Sequence, residues 1–437
     1  MTESVPFSEV CIVGAGPSGL ACALGLAARN VPFTIIDALP EGHNDSRSVL
    51  MHASALETLE LTHPKLCEAL VTAGVTSKSV PQVNKKGDVV FEVRISELAP
   101  HTKYPFCLLL SQHKVEACMR EHLPQSVQWG TRLAAIAEAE TANGAGLGYE
   151  LTFTSGEKLR ARYVVGADGG KSLVRGFAGI RYSDPHTGEE AVPSPRDLSY
   201  VVSDVEFAEP LPSSIARDTL QLVAGEGILT APLLPSEAAF YGSHPVKNCF
   251  RLYVGIPDGN PPSAPDAAYL QPILQARGPG SEVGVAMVPQ IVRVLHSARF
   301  RTRVALVDRY WHRSRAGTGY ILLAGDAAHK HGPAGGQGLN LGVCDGCELA
   351  EAIATHRAQP AEAETDEVFE AYSTRRRDIA QQVIAMVDRM TESELGAGDG
   401  WGPYIRQRLV RLAAKVPAVN AMLAWQVSGM AYRKRNQ

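Results

Sequence analysis

Three apolar runs, each closing on glycine, punctuate the chain: VCIVGAGPSG from Val10, YVVGADGG from Tyr163 and YILLAGD from Tyr320. Short continuous apolar runs of this kind predict strands buried on both faces, the style of a parallel sheet. The first is followed by GLACALGLAA, a small-residue helix, and then by a second strand, PFTIID, which completes a βαβ unit. SRSVLMHASALETLELT and SQHKVEACMREHL read as helices, and DVVFEVRIS alternates as a strand. Between about 197 and 257 the pattern changes. DLSYVVSDVEF, DTLQLVAG and CFRLYVGI alternate with Pro and Gly turns, as in an antiparallel sheet. FRTRVALVDRYW and GYILLAGD return to the first strand style, and beyond about 357 the chain reads as helices, EVFEAYSTRRRDIAQQVIAMVDRM being the clearest.

These patterns predict an α/β fold with interleaved parts: a Rossmann-like nucleotide-binding domain over 1–182, with 79–105 contributing to a second sheet. An antiparallel β domain follows over 183–308, the first domain resumes over 309–357, and a helical region occupies 358–437. A length of 437 residues with 45% hydrophobic content supports more than one core. A net charge of −4, with no basic run long enough for a nucleic-acid footprint, RKR at 433–435 coming near one, argues against nucleic acid and for a small-molecule ligand. Residues 10–28 lack charge, but Pro17 and the glycines would break a spanning helix and no basic segment precedes them, so neither an integral membrane segment nor a signal peptide is expected. Eight scattered cysteines then read as reduced thiols of a cytoplasmic protein.

The first glycine turn has a physical purpose. Gly14 permits the tight turn, Gly16 lets backbone approach a pyrophosphate, Gly19 lets the helix pack closely, and Asp37 stands where an acid takes a ribose hydroxyl. Three glycine segments at strand ends would meet at one sheet edge, where a single mononucleotide needs only one of them. The last, GDAAHKHGPAGGQGLNLG from Gly325, would aim helix N–H groups at a distant ring that becomes negative. A reduced flavin does so, which favours FAD over NAD as the bound dinucleotide.

CDGC at Cys344 and Cys347, just beyond His329 and His331, admits three readings: a flavin-linked disulfide, a zinc site of two His and two Cys, or a plain helix in which Leu339, Val343, Leu349 and Ile353 form an apolar surface beside the thiols. Nothing thioredoxin-like or finger-like surrounds them, which favours the packed helix.

GAGPSGL, GADGGKSLVR and LLAGDAAHKHGPAGGQGLNLGVCDG, in this order and spacing, resemble the motifs of the class A flavin monooxygenases built on the p-hydroxybenzoate hydroxylase fold. The resemblance implies FAD bound through Gly14, Gly16, Gly19 and Asp37, with Asp326 near the ribityl and pyrophosphate and a loop over Gly338, Leu339 and Asn340 at the flavin ring. Arg47, Gln112 and Asp168 match family positions at the cofactor, the last in a motif associated with both FAD and NAD(P)H. It further implies NAD(P)H as cosubstrate, O2, a flavin C4a-hydroperoxide and a mobile flavin, acting on a phenolic or otherwise aromatic compound. Family members favour the ionised phenol, and Arg251 and Tyr253, two apart on one strand face, are similar to an arginine and tyrosine pair of phenol-hydroxylating relatives. The competing reading is the solvent-facing polar side of a half-buried strand. Tyr200, Tyr241 and His244 are further candidates. The relatives' acid shortly after the SR at Ser46 and Arg47 is missing, with Val49 and Leu50 in its place.

Two other functions fit the same motifs: a quinone- or isoprenoid-pathway oxidoreductase or epoxidase acting on a prenylated ring or alkene, and a flavin-dependent binding or escort protein without turnover. YIRQRLVRLAAKV presents Ile405, Leu409, Leu412 and Val416 as a stripe, to pack on its own protein, to make a homodimer contact or to approach a lipid surface.

Overall fold

The computed structural model describes residues 5–42, 48–139, 148–191, 198–234, 246–257, 260–360, 365–394 and 416–433. Arg47, Tyr241, His244 and the stripe from Ile405 to Leu412 lie outside the described residues.

Two seven-stranded sheets organise these residues. In the first, Phe33–Ile36, Phe7–Val13, Lys158–Gly166 and Tyr320–Leu323 run parallel, and Trp311–Arg313 and Tyr149–Phe153 pair antiparallel at its flanks. The parallel strands are the uninterrupted apolar runs, and Val10 to Ile12, Val164, Val165, Leu322 and Leu323 are all fully buried. Their ends are level: Ile36 pairs with Val13, Val13 with Gly166, and Gly166 with Leu323. The glycine segments that follow therefore emerge side by side at the carboxyl edge, where open α/β sheets bind ligands.

The helix Pro17–Ala27 lies against the long helix Gln337–Arg357, which starts from the last glycine segment. Small residues make this contact close. A Cβ on Gly346 would come within 2.2 Å of the Ser18 carbonyl oxygen, and one on Gly342 within 2.3 Å of Ser18 Oγ. The stretch from Ser48 departs from a single helix. Leu50–Met51 pairs with Cys107–Leu109, and the helix begins only at Ala53.

The second sheet has the order Ile291–Arg301, Ser199–Phe207, Cys249–Ile256, Ile228–Pro232, Gln221–Val223, Ser79–Val83, Val89–Arg94. One face, with Val201, Val205, Leu252 and Val254, packs on the helix Ala267–Arg277 through Leu270 and Leu274. The opposite face turns to the first sheet's core, and Ala231 and Tyr253 join that larger cluster. The helix Glu367–Glu394 runs along this junction: Met390 packs against Gly335, and the Glu394 carbonyl accepts the Gly227 N–H at 2.9 Å. FRTRVALVDRYW is divided among three places: Phe300 and Arg301 end the second sheet, Ala305–Val307 pairs with Tyr182–Ser183, and Trp311 begins a flanking strand.

Candidate active site

The first glycine turn is set by contacts no larger residue would allow. Gly14 has φ +105, a conformation favourable only to glycine, and its N–H donates to the Ile36 carbonyl at 2.9 Å. A Cβ on Gly19 would meet the Gly14 carbonyl oxygen at 1.9 Å, which is how the helix comes close to the turn. Gly16 is different: a Cβ there meets nothing within 4 Å, so its backbone faces open space. Asp37 is buried at the end of the second strand, its carboxylate accepting from the Ala15 N–H at 2.7 Å and the Leu39 N–H at 2.8 Å. The acid is thereby locked to the turn it serves.

At the second segment, Asp168 Oδ2 accepts from the Leu173 and Val174 N–H groups at 2.7 and 3.2 Å. Oδ1 is buried with no partner among the described residues, and burial raises the carboxyl above its usual value. Arg175 crosses to the third segment, donating to the carbonyls of Ala327 and Gly170 at 2.8 and 3.1 Å and lying 3.9 Å over the Tyr182 ring. Asp326 is exposed in the turn Gly325–Ala327. Gly338, Leu339 and Asn340 are not in a loop. They form the first turn of the helix Gln337–Arg357, and the loop is Gly332–Gly336, with Gly335 at φ +73 and Gly336 at φ +61. Two consecutive left-handed glycines turn the chain sharply into the helix N-terminus, where unpaired N–H groups favour negative charge.

Asn340 holds this corner. Its amide donates to the carbonyls of Leu50 and Gly336 at 3.0 and 2.8 Å, and its Oδ1 accepts the His52 N–H at 2.7 Å. His52, which the sequence did not single out, is fully buried with Nε2 2.8 Å from the Gly335 carbonyl. Burial pushes its imidazole down to about 4, so it is neutral and donates there. Gln112 Nε2 donates to the buried Glu116 at 2.9 Å, which fixes its amide, and its backbone N–H binds the Ser48 carbonyl at 3.0 Å.

Bare backbone at Gly16 and a buried Asp168 oxygen without a partner among the described residues, at one sheet edge, fit an extended dinucleotide.

The inner face of the second sheet carries the other candidates. Strand register puts Tyr200, Val202 and Asp204 opposite Gly255, Tyr253 and Arg251. Arg251 is wholly buried, which excludes a solvent-facing polar strand side. It forms a two-pronged ion pair with Asp204, Nε to Oδ1 at 2.7 Å and a terminal nitrogen to Oδ2 at 2.8 Å, and donates to the Ser48 carbonyl at 2.7 Å. Its charge is therefore neutralised by an acid four residues after Tyr200. The alternation of SYVVSDVEF marks that face but not its partner. Burial pushes the Tyr253 phenol up to about 12, opposed by the Arg251 guanidinium beside it. Tyr200 stacks on Phe300 at 5.4 Å between ring centres and is likewise raised by burial, with Glu394 adding to the rise. Burial moves the carboxyl of Glu394, which lies near Tyr200 and which the sequence did not single out, up to about 7.

Cys344 and Cys347 are free thiols on the helix Gln337–Arg357. Cys347 is buried towards the first helix, and Cys344 approaches Thr58 Oγ1 at 3.6 Å. His329 points instead at Asp345, between the two cysteines. The thiols pack as helix-core side chains.

The fold and edge define a dinucleotide-binding protein. A family model described as FAD binding domain matches residues 8–221 and 286–387, and the chain belongs to that family as a class A FAD-dependent aromatic monooxygenase. It is 28% identical to pentachlorophenol 4-monooxygenase of Sphingobium chlorophenolicum, over 98% of this chain and 72% of that protein. It is also 28% identical to 12-dehydrotetracycline 5-monooxygenase/anhydrotetracycline 6-monooxygenase of Streptomyces rimosus, over 97% of this chain and 77% of that one. The crystal structure of p-nitrophenol 4-monooxygenase from Pseudomonas putida superposes with a TM-score of 0.78 at 21% identity, over 99% of this chain and 100% of that one, which is a likeness of fold. Among the described residues no helix is long and apolar enough to cross a membrane.

Proposed function

We propose that this enzyme uses NAD(P)H and O2 to hydroxylate a phenolic small molecule held between the second sheet's inner face and the Gly332–Gly336 loop. The observation that carries this reading is Tyr253, a phenol next to a buried guanidinium, on the sheet face turned towards the cofactor domain. FAD, when bound, supplies electron transfer from NAD(P)H and activation of O2. The glycine turn, Asp37, Gln112, Asp168, Asp326 and the first turn at Gly338 to Asn340 would hold it.

The chain's own work is to bind, to exclude water and to handle one proton. A phenol with an ordinary pKa of about 10 is mostly neutral at pH 7 and must lose its proton as oxygen is transferred. Tyr253 accepts a hydrogen bond from that hydroxyl and relays the proton, giving up its own to water as it takes the substrate's. Arg251, already paired with Asp204, serves chiefly to orient Tyr253 rather than to present a free charge. Glu394, with a carboxyl near 7, is suited to receive a proton at the Tyr200 end. The names of the relatives, which act on chlorinated phenol, nitrophenol and tetracycline compounds, support an aromatic substrate.

The test is a screen of phenols and aromatic acids for stimulation of NAD(P)H oxidation by the purified yellow protein. No stimulation by any phenol, with stimulation by a prenylated quinone or alkene, would replace this reading by the isoprenoid one. With a substrate in hand, Tyr253→Phe is expected to slow oxygen transfer at least tenfold in stopped-flow absorbance while flavin reduction stays near wild type. Wild-type rates in both half-reactions would remove Tyr253 from the site.

A further inference from the structure

The third glycine segment is tied to the helix that follows it by one side chain. Asp345 is fully buried inside CDGC, on the helix Gln337–Arg357. Its Oδ2 accepts from the Gly325 N–H at 2.9 Å and from His329 Nε2 at 2.6 Å, and its Oδ1 accepts from Arg376 Nε at 2.5 Å. Arg376, on the helix Glu367–Glu394, also donates to the Leu341 carbonyl at 3.2 Å and to Glu348 at 3.1 Å. The other Glu348 oxygen takes Arg375 at 3.1 Å. One carboxylate thus ties down the residue that opens the Asp326 turn, the strand His329–Lys330 that leads into the Gly332–Gly336 loop, and the helix behind them.

We propose that Asp345 is a positioning residue of the FAD site, setting the Gly325–Ala327 turn and, through His329, the entry of the Gly332–Gly336 loop. Three donors converge on it, so it needs two acceptor oxygens and no N–H of its own, which only a carboxylate supplies at this size. Burial works to raise the carboxyl, but the Arg376 guanidinium and His329 hold it at about 2, and it stays ionised. Gly325 has no tolerance for drift. It sits at φ +64, and a Cβ on it would meet Ser18 Oγ at 2.2 Å, so a turn released from Asp345 is pressed between the first helix and the cofactor edge.

The proposal rests on FAD binding by the chain, so FAD content of the wild-type protein is measured first. A wild type that is colourless and cannot be reconstituted with FAD would refute the cofactor assignment and this proposal with it, whereas the variants below test the proposal alone. For Asp345→Asn, whose amide turns one acceptor into a donor facing donors, the FAD dissociation constant read by flavin fluorescence quenching is expected to rise at least tenfold. The visible bands of the bound flavin should shift too, in a protein folded by circular dichroism. Glu348→Gln removes charge only from the outer contacts to Arg375 and Arg376. It should lower the melting temperature of the apoprotein while leaving FAD affinity within twofold. If the two variants lose stability alike and both bind FAD with wild-type affinity and spectrum, Asp345 is a structural ion-pair partner and the proposal falls. Should Asp345→Asn fail to fold, His329→Gln decides: a severalfold weaker FAD affinity supports the hub, and wild-type affinity overturns it.

Discussion

The cofactor edge and the inner face of the second sheet build their sites from different material. At the edge, what a ligand meets is largely backbone: the open Gly16, the left-handed pair Gly335 and Gly336, and the N-terminus of the helix Gln337–Arg357. The sheet face, proposed above to meet the substrate, offers side chains whose properties depend on partners brought in by register. Arg251 illustrates the difference. Its position on the face follows from alternation, but its charge is already committed to Asp204, and it also donates to the Ser48 carbonyl. Backbone sites declare themselves through glycine, which no other residue can replace, whereas side-chain sites are decided by pairings far apart in sequence.

The sharpest break of this comparison is Gly14→Val. Valine is ill suited to φ +105, and its Cβ would stand 2.3 Å from the Ala167 carbonyl oxygen, which no rotamer avoids. The purified protein is expected to be colourless, with FAD affinity reduced more than a hundredfold by fluorescence titration. Retained yellow colour would show that the edge tolerates side chains after all.

Next in size is Asp204→Ala, which strands a buried guanidinium. Breaking a buried ion pair from one side costs about 3–5 kcal/mol, read as a loss of unfolding free energy in urea. The sheet face predicts a second result. Asp204→Leu combined with Arg251→Met should recover much of that stability, since both charges leave together, yet should leave Tyr253 poorly oriented and hydroxylation slow. A double variant as active as wild type would return Arg251 and Asp204 to a purely structural role.

Much of the cofactor half was legible in the sequence. Uninterrupted apolar strands, glycines at their ends and Asp37 were local features, and their convergence needed only parallel pairing. The exception is informative: Gly338 to Asn340 read as a loop because their glycines resemble those just before them, yet the turn is completed by Gly335 and Gly336, and the helix has begun by Gln337. His52 was hidden because its importance lies in contacts to Gly335 and Asn340, nearly three hundred residues away. Asp204 and Glu394 were hidden for the same reason. A charged residue in a strand, or at the end of an amphipathic helix, looks solvated until the structure buries it.

Acid should weaken the cofactor edge before it weakens the ion pairs. Burial holds His52, His113 and His331 at about 4, below the ordinary 6.5. Above pH 6.5 neither the folded nor the unfolded chain charges them. As pH falls from 6.5 towards 4, the unfolded chain takes up protons that the folded one refuses, so stability is lost across that window. Asp345, at about 2, remains ionised throughout it. Release of flavin fluorescence on acidification is therefore expected between pH 6.5 and 4, and His52→Gln should move its midpoint downward. A midpoint below pH 4 in the wild type would assign acid sensitivity to carboxylates instead.

The smallest expected effect tests whether the cysteines belong to the packed scaffold or to the chemistry. Burial raises the Cys344 thiol to about 11 and Cys347 further, so almost no thiolate exists at pH 7, and thiolate is the form that exchanges disulfides. Cys347→Ser changes a buried thiol for a hydroxyl that can bond within its own helix, and the cost should be about 1 kcal/mol. FAD content and hydroxylation rate are expected to match wild type, in assays with and without thiol reductant. If turnover vanished while FAD remained bound, the CDGC pair would belong to electron transfer, and the chemistry of this edge would no longer be carried by backbone alone.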